Sequence, residues 1–219
     1  GFYRGIWGLT DADVYAVGME GAIAHFDGTT WTEMVSPTTQ KLEGVWGSAP
    51  DDVWAVGLGG AIVHYDGTSW SNVTSPTTQV LMGVWGSAPD DVWAVGYNGL
   101  ILHFDGSAWT ASGYTAPSSL FAISGSASDN VIAVGSAGTT VRYDGTGWSD
   151  ETSSSETLRG VWVWSDELAY VSGQGGTIGV WDGANWTWMN ARTGDLLFVS
   201  GIPGFDADAF QARAVAGLS

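Results

Sequence analysis

Short apolar runs and turn-forming residues follow one another in a fixed order along this chain. Between Gly83 and Trp109 it reads GVWGSAPDDVWAVGYNGLILHFDGSAW: an apolar run, a Ser-Ala-Pro-Asp turn, a second run closed by Gly, a Gly-containing turn, a third run, then Asp-Gly and Trp. Each run is too short for a helix and is rich in β-branched and aromatic residues. Runs of that kind, bounded by Gly, Pro and Asp, are strands. Pro50 and Pro89, each followed by two Asp, end the first strand because Pro fixes φ and removes a ladder donor. Asp-Gly at 27–28, 66–67, 105–106, 144–145 and 182–183 predicts hairpins, since Gly accepts the positive φ of a tight turn. The second strand is apolar on both faces, Val53 and Ala55 against Trp54 and Val56, so its sheet must be covered on both sides.

The same order returns along the whole chain. Trp7, Trp46 and Trp85 are spaced by 39 residues, residues 44–57 and 83–96 are identical, and SPTTQ recurs at 36–40 and 75–79. A fourth unit, Leu120 to Trp148, keeps the frame but has Ser124 and Ile132 in place of the two tryptophans, and Arg142 where His25, His64 and His103 stand. A fifth, Leu158 to Trp186, shortens the period to 38. Leu196 to Gly201 reads as the opening strand of a sixth unit and Ala209 to Ala216 as its second strand. Four antiparallel strands in each unit of about 40 residues predict an all-β fold, a β-propeller. It has five complete blades (about 3–41, 42–80, 81–119, 120–157 and 158–195) and a partial sixth at 196–219, in one domain spanning 1–219, with a six-bladed ring favoured over five. The first strand of each blade is expected innermost. Spacers and second-to-third turns then share one face of the ring, and Ser-Ala-Pro-Asp and Asp-Gly turns share the other.

Composition narrows the partners. The chain of 219 residues carries 23 Asp and Glu against 6 Lys and Arg, a formal charge of −17. Lys41, Arg4, Arg142, Arg159, Arg192 and Arg213 are its whole cationic set, so phosphate backbones and anionic membranes are repelled, and no nucleic acid is expected as partner. No apolar run reaches the roughly 20 residues of a membrane span. There are no cysteines, which leaves the redox compartment open. The chain opens at Gly1 without Met, as expected of a processed product or an excised domain. A low-Lys composition rich in Thr, Ser, Gly and Trp favours a secreted, cell-surface or periplasmic protein.

The blades resemble a group of bacterial repeat β-propellers built on GVWGS-x-x-DVWAVG followed by HYDGxxW, and are similar to the Asp-box (BNR-like) and tectonin-type propellers. The resemblance covers nearly the whole chain. It implies a non-catalytic repeat. Tectonin-type members bind glycans, and BNR-like members include sialidases and non-enzymes.

Repetition also decides how single residues are read. Trp31, Trp70, Trp109, Trp148 and Trp186 could be sugar platforms, but one position in every blade points to a wedge between neighbouring blades. Asp27, Asp66, Asp105, Asp144 and Asp182 read as turn acceptors for backbone N–H groups. His25, His64 and His103 lie in blades about 10 Å apart, too far to share an ion. No cofactor is expected; Ca²⁺ is the one candidate, from the pairs Asp11/Asp13, Asp51/Asp52, Asp90/Asp91 and Asp206/Asp208, although no Ca²⁺-loop motif is present. The sialidases' arginine triad and Phe/Tyr-Arg-Ile-Pro element meet only Tyr3-Arg4-Gly5-Ile6, without the Pro, and Glu20, Glu33, Glu43, Glu151, Glu156 and Glu167 share no blade position. Blades otherwise alike differ in their second-to-third turns, Met19-Glu20, Leu58-Gly59, Tyr97-Asn98, Ser136-Ala137 and Gln174-Gly175. Variation on a fixed scaffold is where binding is tuned. The expectation is a non-enzymatic binding module, lectin-like, holding a glycan through Tyr97, Asn98, Glu20, Leu58 and Gln174. The alternative is a protein-interaction or self-assembly domain that recruits a homo-oligomer partner through its incomplete last blade. A BNR-like glycosidase is a lesser alternative.

Overall fold

The computed structural model describes residues 2–190. They form five four-stranded antiparallel sheets, each with its strands in chain order. First strands are Tyr3–Thr10, Leu42–Ala49, Leu81–Ala88, Leu120–Ala127 and Leu158–Ser165; second strands are Asp13–Gly18, Asp52–Gly57, Asp91–Gly96, Asn130–Gly135 and Leu168–Gly173. Third strands run Ile23–Phe26, Ile62–Tyr65, Ile101–Phe104, Thr140–Tyr143 and Thr177–Trp181, and fourth strands Trp31–Glu33, Trp70–Asn72, Trp109–Ala111, Trp148–Asp150 and Trp186–Asn190. Each first strand lies beside the first strand of the next sheet, which makes the sheets blades of a propeller with first strands innermost. The partial sixth blade expected at 196–219 lies outside the described residues.

The core is not inside any blade but between blades, as the two-sided apolar second strand requires. Tyr15, Val17 and Ile23 of blade 1 meet Leu42, Val45, Ala55 and Trp70 of blade 2, and the same positions meet across each later junction. Register explains which side chains face forward. Trp46 pairs with Trp54 and Trp54 with His64, so the three form one row across blade 2, aimed at blade 3. Among the described residues the leading face of blade 1 has no such neighbour: Ile6 is 69% exposed where Val45, Val84, Ile123 and Val161 are at most 9% exposed, and Trp31 is 50% exposed where Trp70 and Trp109 are buried.

First-strand tryptophans mesh with glycines one blade on. A Cβ built on Gly47, Gly86 or Gly125 would stand 2.9, 2.6 or 2.5 Å from the ring of Trp7, Trp46 or Trp85. At the next junction both partners change together. Ser124 takes the place of the tryptophan, Val163 that of the glycine, and the Val163 N–H donates to Ser124 Oγ at 3.2 Å.

The Asp-Gly segments are four-residue loops rather than two-residue turns. Asp105 Oδ1 accepts from the backbone N–H groups of Ser107 and Ala108 at 2.9 and 3.0 Å, and Asp27, Asp66, Asp144 and Asp182 repeat the arrangement. The following glycine takes a positive φ, +86° at Gly106, and presses on the first-to-second turn, where an added Cβ would lie 2.8 Å from Asp90 Cβ. Hydrogen bonds from the Ser107 hydroxyl and from backbone N–H groups hold the Asp105 carboxyl down to about 2. A folded-state pKa below the unfolded value contributes stability that is present above about pH 4 and is lost as pH falls through about 2. Asp105→Ala is expected to unfold more readily in urea at neutral pH, and to lose less of its remaining stability than the parent on acidification from about pH 5 to about pH 2.

Candidate interaction face

The five second-to-third connections are single 3₁₀ turns, Met19–Gly21, Leu58–Gly60, Tyr97–Gly99, Ser136–Gly138 and Gln174–Gly176. The last residue of each must be glycine. At Gly60 and Gly99 a Cβ would fall 2.1 Å from the carbonyl oxygens of Thr77 and Ala116 in the outgoing spacers. The central residue is left-handed in all five, and Asn98 (φ 57°) suits that conformation better than Glu20 (57°) or Ala137 (52°). Leu58 N–H donates to the carbonyl of Lys41 at 2.8 Å, which ties the turn to the incoming spacer as well. Turns and spacers therefore share one face of the ring.

Among the residues singled out from sequence, Tyr97 and Leu58 are exposed, 43% and 40%, and Met19 stands at the same turn position at 41%. Glu20 and Asn98 are exposed and Gln174 is partly buried. The Asn98 side-chain amide is already engaged, donating to Gln79 Oε1 at 3.0 Å, and its backbone N–H donates to Ser119 Oγ at 3.0 Å. Tyr97 meets Phe121 of blade 4 edge to face, centroids 6.4 Å apart at 78°. Arg159 of blade 5 lies over the Phe121 ring, 4.4 Å from its centroid. A cation at this distance from an aromatic face is held by the ring quadrupole.

Phe121 and Arg159 were not evident among the variable turns. They are the second residues of their first strands, a position that reads Arg4, Glu43, Met82, Phe121 and Arg159 around the ring. The signal was available: Glu43 and Met82 differ immediately before a stretch where blades 2 and 3 are identical. On the blade 1 side Glu43 pairs with Arg4 at 3.3 Å and with Lys41 at 2.5 Å. Three of the four described cations thus gather at this mouth of the ring. The fourth, Arg142, is built into the structure, 5.3 Å from the Trp181 ring and donating to Asn130 at 3.2 Å.

The histidines face inward. His64 Nε2 lies 2.6 Å from Asp52, His103 Nε2 2.7 Å from Asp91 and His25 Nε2 2.5 Å from Asp13, with His64 tilted against Trp54 and His103 stacked on Trp93. Ser48 and Ser87 donate to the other oxygen of Asp52 and Asp91. The carboxylate stands between hydroxyl and imidazole, so the imidazole has no hold on the hydroxyl proton and the trio lacks the nucleophile-base contact of acyl-transfer sites. Blade 4 keeps the connection with Ser126, Asn130 and Arg142, and blade 5 replaces it by Trp164, Leu168 and Val180. In blade 1 Leu9 takes the serine position and leaves Asp13 Oδ2 buried without a partner. Leu9→Ser should therefore raise stability by about 1 kcal/mol, visible as a higher urea midpoint. Among the described residues no group of three His, Cys, Asp or Glu is placed to hold a metal ion. Asp52 and Asp91 turn to their histidines, while Asp51 and Asp90 lie under Gly67 and Gly106. Asp206 and Asp208 lie outside the described residues.

No protein-family model matches the chain, and no curated protein matches it in sequence. The solved structure of YCF48 bound to D1 peptide is similar to it, with a TM-score of 0.68 at 17% identity, over 88% of this chain and 68% of that one. At that identity the likeness carries the fold, and with the five stacked sheets it makes this chain a β-propeller.

Proposed function

We infer that the protein is a non-enzymatic interaction module whose turn face receives a segment of another protein across the mouth of the ring. The observation that carries this reading is the row of exposed apolar side chains at one turn position, Met19, Leu58 and Tyr97, running into Phe121 and Arg159. An aromatic and an arginine set on rigid elements are the residue types that anchor protein segments. The similar fold of YCF48 was solved with a peptide bound, which supports the same use here. The carboxylate-centred Ser-Asp-His trios support the absence of catalysis. A secreted or cell-surface setting remains part of this reading, from composition.

A glycan at these turns, motivated by the likeness to Asp-box and tectonin-type propellers, is less well served, because the Asn98 amide is committed to Gln79 and leaves Tyr97 without a free polar companion. Assembly between copies draws on the uncovered Ile6 and Trp31 of blade 1.

The test is a random-peptide array probed with the parent protein and with Tyr97→Ser/Arg159→Gln. The parent should select a sequence pattern, and the double variant, with an unchanged melting temperature, should bind the selected peptides at least about tenfold more weakly. An array without selection, or equal binding by both proteins, would refute the proposal.

A further inference from the structure

Three departures from the repeat converge at the junction of blades 3 and 4. Met34 and Val73 follow the fourth strands of blades 1 and 2 and pack against the closing tryptophan of the next blade. Trp70 Nε1–H points at Met34 Sδ at 3.4 Å, Val73 packs in the cluster that holds Trp109, and both tryptophans are buried. Blade 3 has Ser112 at this place, anchored by the same backbone bond to its third strand. Its hydroxyl turns back to the Tyr114 carbonyl at 3.3 Å, and Trp148 is left only partly buried. The next residue, Val35 or Thr74 in the earlier blades, is Gly113. Across the junction the fourth residue of the Asp-Gly loop is Gly147, where the other blades carry Thr30, Ser69, Ala108 and Asn185. A Cβ added at Gly113 or Gly147 would meet nothing within 4 Å.

Loss of these side chains leaves an open groove of about 480 Å³. That volume falls within the range of small-molecule sites, which are apolar hollows with a few placed polar groups. Its walls are the rings of Trp93, His103, Tyr143, Trp148 and Tyr114, and among them stand the hydroxyls of Ser112 and Thr146, which donate to the Tyr114 carbonyl and to Asp144 Oδ1 and keep their lone pairs as acceptors. Among the described residues no Lys, Arg, Asp or Glu lines it, and its one imidazole, His103, is engaged with Asp91 at 2.7 Å. In a chain of charge −17 such a site disfavours anions and offers a cation no counter-charge. What it matches is a neutral ring whose C–H faces lie on aromatic surfaces while its hydroxyls donate to the rim oxygens.

We propose that the groove between blades 3 and 4 is a binding site for a neutral monosaccharide unit, created by Ser112, Gly113 and Gly147. It uses none of the turn residues Met19, Leu58 and Tyr97 and is independent of the peptide reading.

The test is titration of the protein with glucose, galactose, mannose and N-acetylglucosamine, followed by tryptophan fluorescence and ligand-observed NMR. At least one sugar should give a saturable signal. Ser112→Met, which restores the plug of blade 1, should weaken that binding at least about tenfold, as should Gly147→Leu, whose backbone is ordinary and whose added side chain enters open space. Tyr97→Ser, on the turn face, should bind the sugar like the parent. The proposal fails if none of the four sugars binds, if both groove variants bind like the parent, or if Tyr97→Ser is the variant that loses binding.

Discussion

Gly86→Val will destabilise the protein by about 3 kcal/mol, at the upper end of what an overpacked core costs. The first added carbon already lies 2.6 Å from Trp46 Cη2, and the indole, buried against blade 3, has no space into which it can tilt. Trp46→Ser alone should cost a similar amount, about 3 kcal/mol, because it leaves a cavity above Gly86. The double variant recreates the Ser124–Val163 pair that the chain itself uses one junction on. Its cost should fall below the sum of the two single costs by about 2 kcal/mol, the signature of side chains in direct contact. Urea unfolding of the four proteins measures this coupling, and additive costs would show that the ring and the glycine are not the complementary pair described.

Trp54→Ala should be as damaging, about 3–5 kcal/mol. The Trp54 ring is 3% exposed and lies 4.2 Å from His64, 4.8 Å from Phe104 and 5.4 Å from Trp109, the last edge to face. Its removal strips one aromatic contact within blade 2 and two across its junction with blade 3. Trp54→Tyr should cost only about 1 kcal/mol, because Tyr15 and Tyr170 fill the same place in blades 1 and 5, and because the buried Trp54 N–H has no acceptor to lose. Thermal melts of the two variants separate loss of volume from loss of aromatic character.

Strands, turn faces and inter-blade burial were legible because each is a local pattern repeated several times. The Asp-Gly loops were legible for the same reason, although their four-residue length rests on where Thr30 and its equivalents bond, which spacing does not reveal. The mesh of Trp7 with Gly47 was less accessible, since it joins residues of adjacent blades whose stagger only the folded ring defines. On the candidate face, Tyr97 and Leu58 stood out as turn variation, whereas Phe121 and Arg159 sit in first strands, outside the turns where variation was sought. Asn98 attracted notice as an amide beside an aromatic, yet its left-handed backbone and its bond to Gln79 account for it. The groove escaped notice because it is made by what Ser112, Gly113 and Gly147 lack, and a missing side chain carries no motif.

The mesh of ring and glycine also bears on how such an array changes by unequal crossing-over. Loss of blade 2 or blade 3 would bring Trp7 onto Gly86 or Trp46 onto Gly125, and the new neighbours would fit as the old ones did. Loss of blade 4 would drive Trp85 into Val163, a collision of the kind forecast for Gly86→Val. At this contact the first three units are thus interchangeable, while the fourth cannot be lost alone without that collision.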